Sequence, residues 1–185
     1  MARLRSLFFA TPLVCLIGHT AWADHTDPQL NDLFLQLKQT QDQNQLRTIE
    51  SQIWEIWLSH PNPDVQRLML LGTEKMNSRS VAEAMLVFTQ LVENFPNYAE
   101  AWNKRATLNY LIGDQEASES DIQKTLALEP RHFGALSGLG LVYLSRNELS
   151  KAKQAFENLI AVHPNSPNAL SNLKLINEQL KFGVI

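Results

Sequence analysis

The chain has 185 residues, of which 44% are hydrophobic, and it carries 16 basic against 19 acidic residues, a net charge of −3 with histidine neutral. This balance argues against nucleic acid as a partner, because phosphate binding needs concentrated lysine and arginine, and no polybasic run suits an anionic membrane. A chain near this length can bury roughly 68–70% of its unfolded surface, which is enough for one stable domain.

The first 23 residues have the pattern of a secretory signal peptide. Arg3 and Arg5 form a basic start, residues 7–17 are largely apolar, and residues 21–23 have the sequence Ala-Trp-Ala, an A-x-A cleavage site. The apolar stretch is shorter than the roughly 20 residues that a membrane-spanning helix needs. We therefore predict a periplasmic or secreted protein, with a membrane anchor formed by an uncleaved leader as the alternative.

The only cysteine, Cys15, lies inside this leader. A lipoprotein cysteine follows a small residue, and Val14 is not small, so lipidation is not expected. Cleavage would leave a chain without thiol or disulfide chemistry, and it would change the charge balance to 14 basic against 19 acidic residues. Such a chain suits an oxidising compartment without depending on it, which fits the bacterial periplasm.

Residues 24–64 are predicted to hold a pair of amphipathic helices. When the register of the following repeats is moved back by one period, Phe34, Trp54 and Trp57 fall on positions that large residues occupy. The pair is therefore predicted to be a degenerate repeat or an N-terminal cap. Two interpretations of the tryptophans stay open. They fill the core that seals the first repeat, or they expose an apolar patch for a partner.

A 34-residue repeat follows, marked by three equally spaced prolines, Pro96, Pro130 and Pro164. In each repeat the eighth and twentieth residues are small, whereas the fourth and twenty-fourth are large. Small residues let the two helices of a hairpin approach closely, large ones fill the space between repeats, and the proline ends the second helix. The predicted repeats are residues 65–98, 99–132 and 133–166, and residues 167–185 are predicted to form a C-terminal capping helix and tail.

The third repeat carries the most complete motif, with residues Leu136, Leu139, Gly140, Tyr143, Ala152, Phe156, Leu159 and Pro164. This motif and its period resemble those of the tetratricopeptide repeat (TPR) family. The resemblance implies an all-α fold, a TPR-type α-solenoid in which helix hairpins form a right-handed superhelix between N- and C-terminal capping helices.

The resemblance also implies a partner-binding groove. In TPR proteins the second, fifth, ninth and twelfth residues of each first helix line the concave face. The predicted groove residues are Met69, Thr73, Met76, Glu100, Asn103, Thr107, Tyr110, Ser137, Leu141 and Leu144. With one acid and no base, this set lacks the basic clamp by which chaperone-binding TPR proteins hold an acidic peptide, and its methionines and leucines suit an apolar helix or extended segment.

Catalytic and metal-binding patterns are weak in this sequence. No histidines stand at the spacing of a zinc site, and no serine lies in a G-x-S-x-G turn. We predict no enzyme, no metal and no cofactor, but a non-catalytic protein-binding adaptor or assembly factor of the cell envelope whose partner is another protein, bound as a peptide or helix. The alternative is a permanent structural subunit of a larger envelope complex.

Overall fold

The computed structural model describes residues 27–181 and 183, so the predicted signal peptide at residues 1–23 lies outside the described residues. Throughout the described part the secondary structure is helical, and the predicted all-α fold class is confirmed. The helices are α1 (Gln29–Gln39), α2 (Gln43–Leu58), α3 (Pro63–Asn77), α4 (Val81–Asn94), α5 (Ala99–Leu111), α6 (Gln115–Leu128), α7 (Phe133–Ser145), α8 (Leu149–Val162) and α9 (Pro167–Lys181).

Three hairpins form the array, α3 with α4, α5 with α6 and α7 with α8, and α9 packs on α8. The small eighth residues allow these helices to approach closely. A Cβ at Gly72 would lie 2.6 Å from Cζ of Phe88, and one at Gly140 would lie 2.5 Å from Cζ of Phe156. Because two non-bonded carbon atoms do not pack that closely, each glycine leaves the space into which the aromatic ring of its own hairpin fits.

The turn inside each hairpin has one repeated backbone conformation. The fifteenth residues of the three repeats, Arg79, Gly113 and Asn147, all have positive φ, at 60°, 84° and 57°. The following residue then donates its N–H to a carbonyl near the end of the first helix, as Asp114 does to Asn109 at 2.9 Å. This is the hydrogen bond of a Schellman cap, and it ends the helix at the same place in each repeat.

Helix α2 runs across the turns that join successive repeats. At its C-terminal end, the carbonyl of Leu58 accepts a hydrogen bond of 3.1 Å from the Tyr98 hydroxyl, beside the turn at Pro96. Nearer its N-terminus, Oε1 of Glu50 lies 2.5 Å from Nε2 of His163, beside the turn at Pro164. The helix therefore crosses all three repeats, antiparallel to their order in the chain.

Aromatic side chains fix the C-terminal part of α2 to the third repeat. The ring of Trp57 stacks on that of His132, with centroids 4.0 Å apart and planes 11° apart. Phe133 lies 4.9 Å from Trp57, and Phe34 of α1 lies 6.0 Å from it, measured between ring centroids. The tryptophans do fill a core, as one of the two interpretations held, but the core is that of the third repeat rather than the first.

The predicted N-terminal helical pair is present as α1 and α2, but it does not stack on the outer face of the first hairpin, and the stacking positions of α3 give the reason. The residues at the third and tenth positions of the second and third repeats, and at the matching positions of α9, are fully buried against the hairpin before them. They are Ala101, Leu108, Ala135, Val142, Ala169 and Ile176. In α3 the same positions hold Arg67 and Glu74, which are both exposed. Burying two charges there without partners would be costly, so α3 begins the stacked array.

Candidate functional site

A pocket of about 190 Å³ opens between α5 and α7, with α6 beneath it. Helix α5 contributes residues 103, 107 and 110, which are spaced to share one helical face, and α7 contributes residues 134, 137, 138 and 141 in the same way. The full lining is Asn103, Ala106, Thr107, Tyr110, Ser118, Ile122, Gly134, Ser137, Gly138 and Leu141. Half of the ten predicted groove residues therefore meet in one concave site.

Two glycines of α7 explain why this space is open. Gly134 and Gly138 both line the pocket, and neither has a side chain to fill it. A Cβ at Gly138 would lie 3.4 Å from Cδ1 of Ile122, which is an ordinary contact rather than a clash. The pocket thus has an apolar base at Ile122 and Leu141 and a rim of small polar groups.

Two predicted groove residues, Met69 and Glu100, are corrected by the structure. Both side chains are fully buried, so neither can contact a partner on the surface. Met69 packs in the core of the first repeat, among residues that include Val65 and Phe88. The remaining predicted residues, Thr73, Met76 and Leu144, are half-buried and lie outside the pocket.

Glu100 is instead the centre of a buried polar network. Its Oε2 accepts hydrogen bonds of 2.9 Å from Nδ2 of Asn103 and of 2.9 Å from Nε2 of His132. Its Oε1 lies 3.2 Å from Nζ of Lys104. Nδ1 of His132 accepts the backbone N–H of Ala135 at 3.1 Å, so Nε2 is the nitrogen that carries the hydrogen donated to Glu100. The network fixes the Asn103 amide at the rim of the pocket.

Helix α2 closes the end of the groove at which α5 and α7 begin. The ring of Trp54 lies over Gly134, where a Cβ would be 2.7 Å from its Cη2 atom. Nζ of Lys104 lies 5.7 Å from the centroid of the same ring. The sequence signal for this contact was Gly134 itself, because a glycine on the groove face of a helix allows a large ring to approach.

Comparison with known proteins identifies the family. A tetratricopeptide repeat model matches residues 135–166. A TPR repeat-containing protein of Rhizobium etli is 30% identical over 152 residues, which cover 82% of this chain and 74% of that protein. The chain belongs to the TPR family. Human sperm-associated antigen 1 is 27% identical over 142 residues, and this TPR protein spans 15% of its length.

Solved structures share the TPR fold. The first TPR of Spaghetti (RPAP3), bound to the HSP90 peptide SRMEEVD, matches with a TM-score of 0.61 at 22% identity, over 63% of this chain and 93% of that one. MamA matches with a TM-score of 0.59 at 24% identity, over 80% of this chain and 78% of the MamA chain. The Yersinia enterocolitica secretion chaperone SycD, in complex with a YopD peptide, matches with a TM-score of 0.61 at 14% identity, over 64% and 95%.

A polar junction beside the pocket joins the second and third TPR repeats. Oε1 of Glu119 accepts the Tyr143 hydroxyl at 2.8 Å, and its Oε2 lies 2.5 Å from Nη1 of Arg146. Burial, together with the hydrogen bond to Glu119, raises the pKa of Tyr143 to about 12. Partial burial disfavours the Glu119 anion, but the hydrogen bonds from Tyr143 and Arg146, together with the charges of Arg146 and Lys151, outweigh it and lower the pKa of that carboxyl. Glu119 thus stays ionised between its partners.

Among residues 27–181 and 183, no three histidine, cysteine, aspartate or glutamate side chains are grouped closely enough to bind a metal ion. The same residues contain no helix whose length and apolar character would let it cross a bilayer.

Proposed function

We propose that this TPR protein is a non-catalytic protein-binding adaptor or assembly factor that holds a partner's peptide or helix in the pocket between α5 and α7. The pocket itself carries the proposal, since its 190 Å³ exceed the roughly 150 Å³ that hold a benzene ring in an apolar cavity. One aromatic or branched aliphatic side chain of the partner would fit. The peptide complexes of RPAP3 and SycD support a protein partner for this shared fold.

The polar rim favours contacts with a partner's backbone. The amide of Asn103 and the hydroxyl of Ser137 can each accept or donate a hydrogen bond. The hydroxyl of Thr107 donates to the Asn103 carbonyl at 3.0 Å and can still accept a hydrogen bond. No lining residue is charged, and the nearby Lys104 pairs with Glu100. We therefore infer a neutral, apolar anchor rather than the acidic type of peptide that is bound to RPAP3.

Filling the pocket should abolish this binding without unfolding the protein. In Gly138→Leu the new Cβ meets Ile122 at an ordinary distance, so the side chain can occupy the pocket with little strain. A photo-crosslinking amino acid at the exposed Thr107 should label one protein in the native host, and Gly138→Leu should reduce that labelling about tenfold, or about 1.4 kcal/mol of binding.

The matched control is Ser120→Leu, which adds the same side chain at an exposed site of α6 outside the pocket. It should leave the labelling unchanged. Equal labelling in Gly138→Leu and the wild type would show that the pocket is not the binding site. Size-exclusion chromatography of the native extract distinguishes an adaptor from the alternative, a permanent subunit of an envelope complex. A permanent subunit elutes at a mass far above that of one or two copies of this chain.

We also propose that the protein works in the cell envelope after export, on the basis of the leader pattern at residues 1–23. Protein released with the periplasmic fraction of the native host should have an intact mass that lacks those residues. A chain that retains Met1 in the membrane fraction would instead indicate the uncleaved anchor. Full-length protein in the cytosol would contradict export.

A further inference from the structure

The outer face of α3 is an exposed stripe at the start of the TPR array. Arg67, Leu70, Leu71 and Glu74 are spaced to share one face of the helix. Leu70 is 61% exposed and Leu71 is 38% exposed. This is the face that α5, α7 and α9 bury against the preceding hairpin, and no described residue stacks on it in α3.

A solubilising end cap does not account for this stripe. Terminal repeats of solenoids need a polar outer face, and Arg67 and Glu74 supply one. The two leucines between them do not, because a cap that only faces water gains nothing from adjacent exposed leucines. The combination of an apolar centre and charged ends is instead typical of a helix that pairs with another helix.

The order of the charges identifies the partner. Arg67 and Glu74 lie at equal distances, about 5 Å along the helix axis, on either side of the midpoint between Leu70 and Leu71. If a second α3 packs antiparallel about a two-fold axis through that midpoint, each arginine faces the glutamate of the other copy. Both ion pairs then form at once, and the leucines meet at the centre.

We propose that two copies of this protein associate through α3, in an isologous antiparallel helix pair centred on Leu70 and Leu71. Arg67 is free to exchange partners, because its present pair with Asp64, at 2.5 Å, is between two largely exposed side chains. A single helix pair is a small interface, so the dimer should dissociate in the range of about 1 μM to about 1 mM. The pocket between α5 and α7 takes no part in it.

Sedimentation of the purified full chain across that concentration range tests the proposal. The wild type should shift from monomer to dimer mass. Arg67→Glu and Glu74→Arg should each stay monomeric. In the two-fold pair residue 67 of each copy faces residue 74 of the other, so either single change puts two like charges together at both contacts. The double variant Arg67→Glu/Glu74→Arg should dimerise again, because the swapped charges face each other correctly in a two-fold pair and in no other arrangement of this face.

The control is Leu170→Glu, which changes a leucine that is 51% exposed in α9, at the far end of the array. It should dimerise like the wild type, whereas Leu70→Glu should not. Wild-type chain that remains monomeric at about 1 mM would overturn the proposal. A double variant Arg67→Glu/Glu74→Arg that stays monomeric would also overturn it. A Leu170→Glu variant that dissociates as Leu70→Glu does would overturn it as well, because loss of the dimer on changing α9 indicates head-to-tail stacking of α9 on α3.

Discussion

Replacing Trp57 by alanine is expected to lower the free energy of unfolding by about 3 to 5 kcal/mol, the usual cost of removing a buried tryptophan. Trp57 is fully buried, and its ring stacks on His132 and packs against Phe34 and Phe133. Alanine would leave a cavity among these rings, which the helices around it could close only in part. Denaturant titration followed by circular dichroism measures the loss.

The effect should be uneven along the chain. Trp57 joins α1 and α2 to the third repeat, whereas α3 and α4 pack in a separate core around Met69 and Phe88. Hydrogen exchange should therefore show lost protection first in α1 and α2, with α3 and α4 changing least. Equal loss in all helices would mean that the N-terminal pair unfolds only together with the array.

Trp57→Phe is the matched control. The indole Nε1 of Trp57 has no hydrogen-bond acceptor among the described residues. Substitution by phenylalanine therefore removes part of the buried ring surface but no hydrogen bond. We expect it to cost less than half as much as alanine. If the two variants are equally unstable, the stacking on His132 rather than the filled volume stabilises the contact.

The sequence predicted the array well because its determinants are local. Gly72 and Phe88, or Gly140 and Phe156, belong to one hairpin, and their spacing recurs every 34 residues. The repeat positions are local in the same sense in α5 and α7, where Asn103, Thr107, Tyr110, Ser137 and Leu141 line one pocket. That these residues bind a partner stays a prediction.

The N-terminal pair could not be placed in the same way, because its partners are distant in the chain. Glu50 meets His163 across 113 residues, and the Thr40 carbonyl accepts from Asn165 across 125. No periodicity encodes such contacts, and a pair of amphipathic helices can pack on either an end or an edge of the array. The charges of Arg67 and Glu74 at stacking positions were the one local sign that α1 and α2 do not pack on the outer face of the first hairpin.

Glu100 was misplaced because one of its buried partners, His132, is 32 residues away in the chain. Its position in the repeat implied a groove residue, and a glutamate is rarely buried without partners. The turn residue His132 and the α5 residues Asn103 and Lys104 supply those partners, and Trp57 covers His132 from the other side. The burial of Glu100 therefore depends on a partner from the turn before α7, which the repeat pattern of α5 does not encode.

Replacing Glu100 by alanine is accordingly expected to destabilise the fold by about 3 to 5 kcal/mol, as breaking a buried charged pair does. The change would leave the His132 Nε2–H and the Asn103 amide without their acceptor, in a fully buried site and a nearly buried one. Glu100→Gln keeps the volume and one acceptor, so it should cost roughly 1 to 3 kcal/mol. Thermal and denaturant unfolding measure both losses.

The control is Glu116→Ala, which removes an exposed acid 3.6 Å from Arg146 and should change stability by less than about 1 kcal/mol. A Glu100→Ala protein as stable as this control would show that water replaces the carboxylate. Because Glu100 and Trp57 both act on His132, their alanine variants should not be additive. We expect the double variant to lose less unfolding free energy than the two single variants together, by at least about 0.5 kcal/mol. Either change alone already removes one of the contacts that hold the His132 ring, so the second change has less left to disrupt.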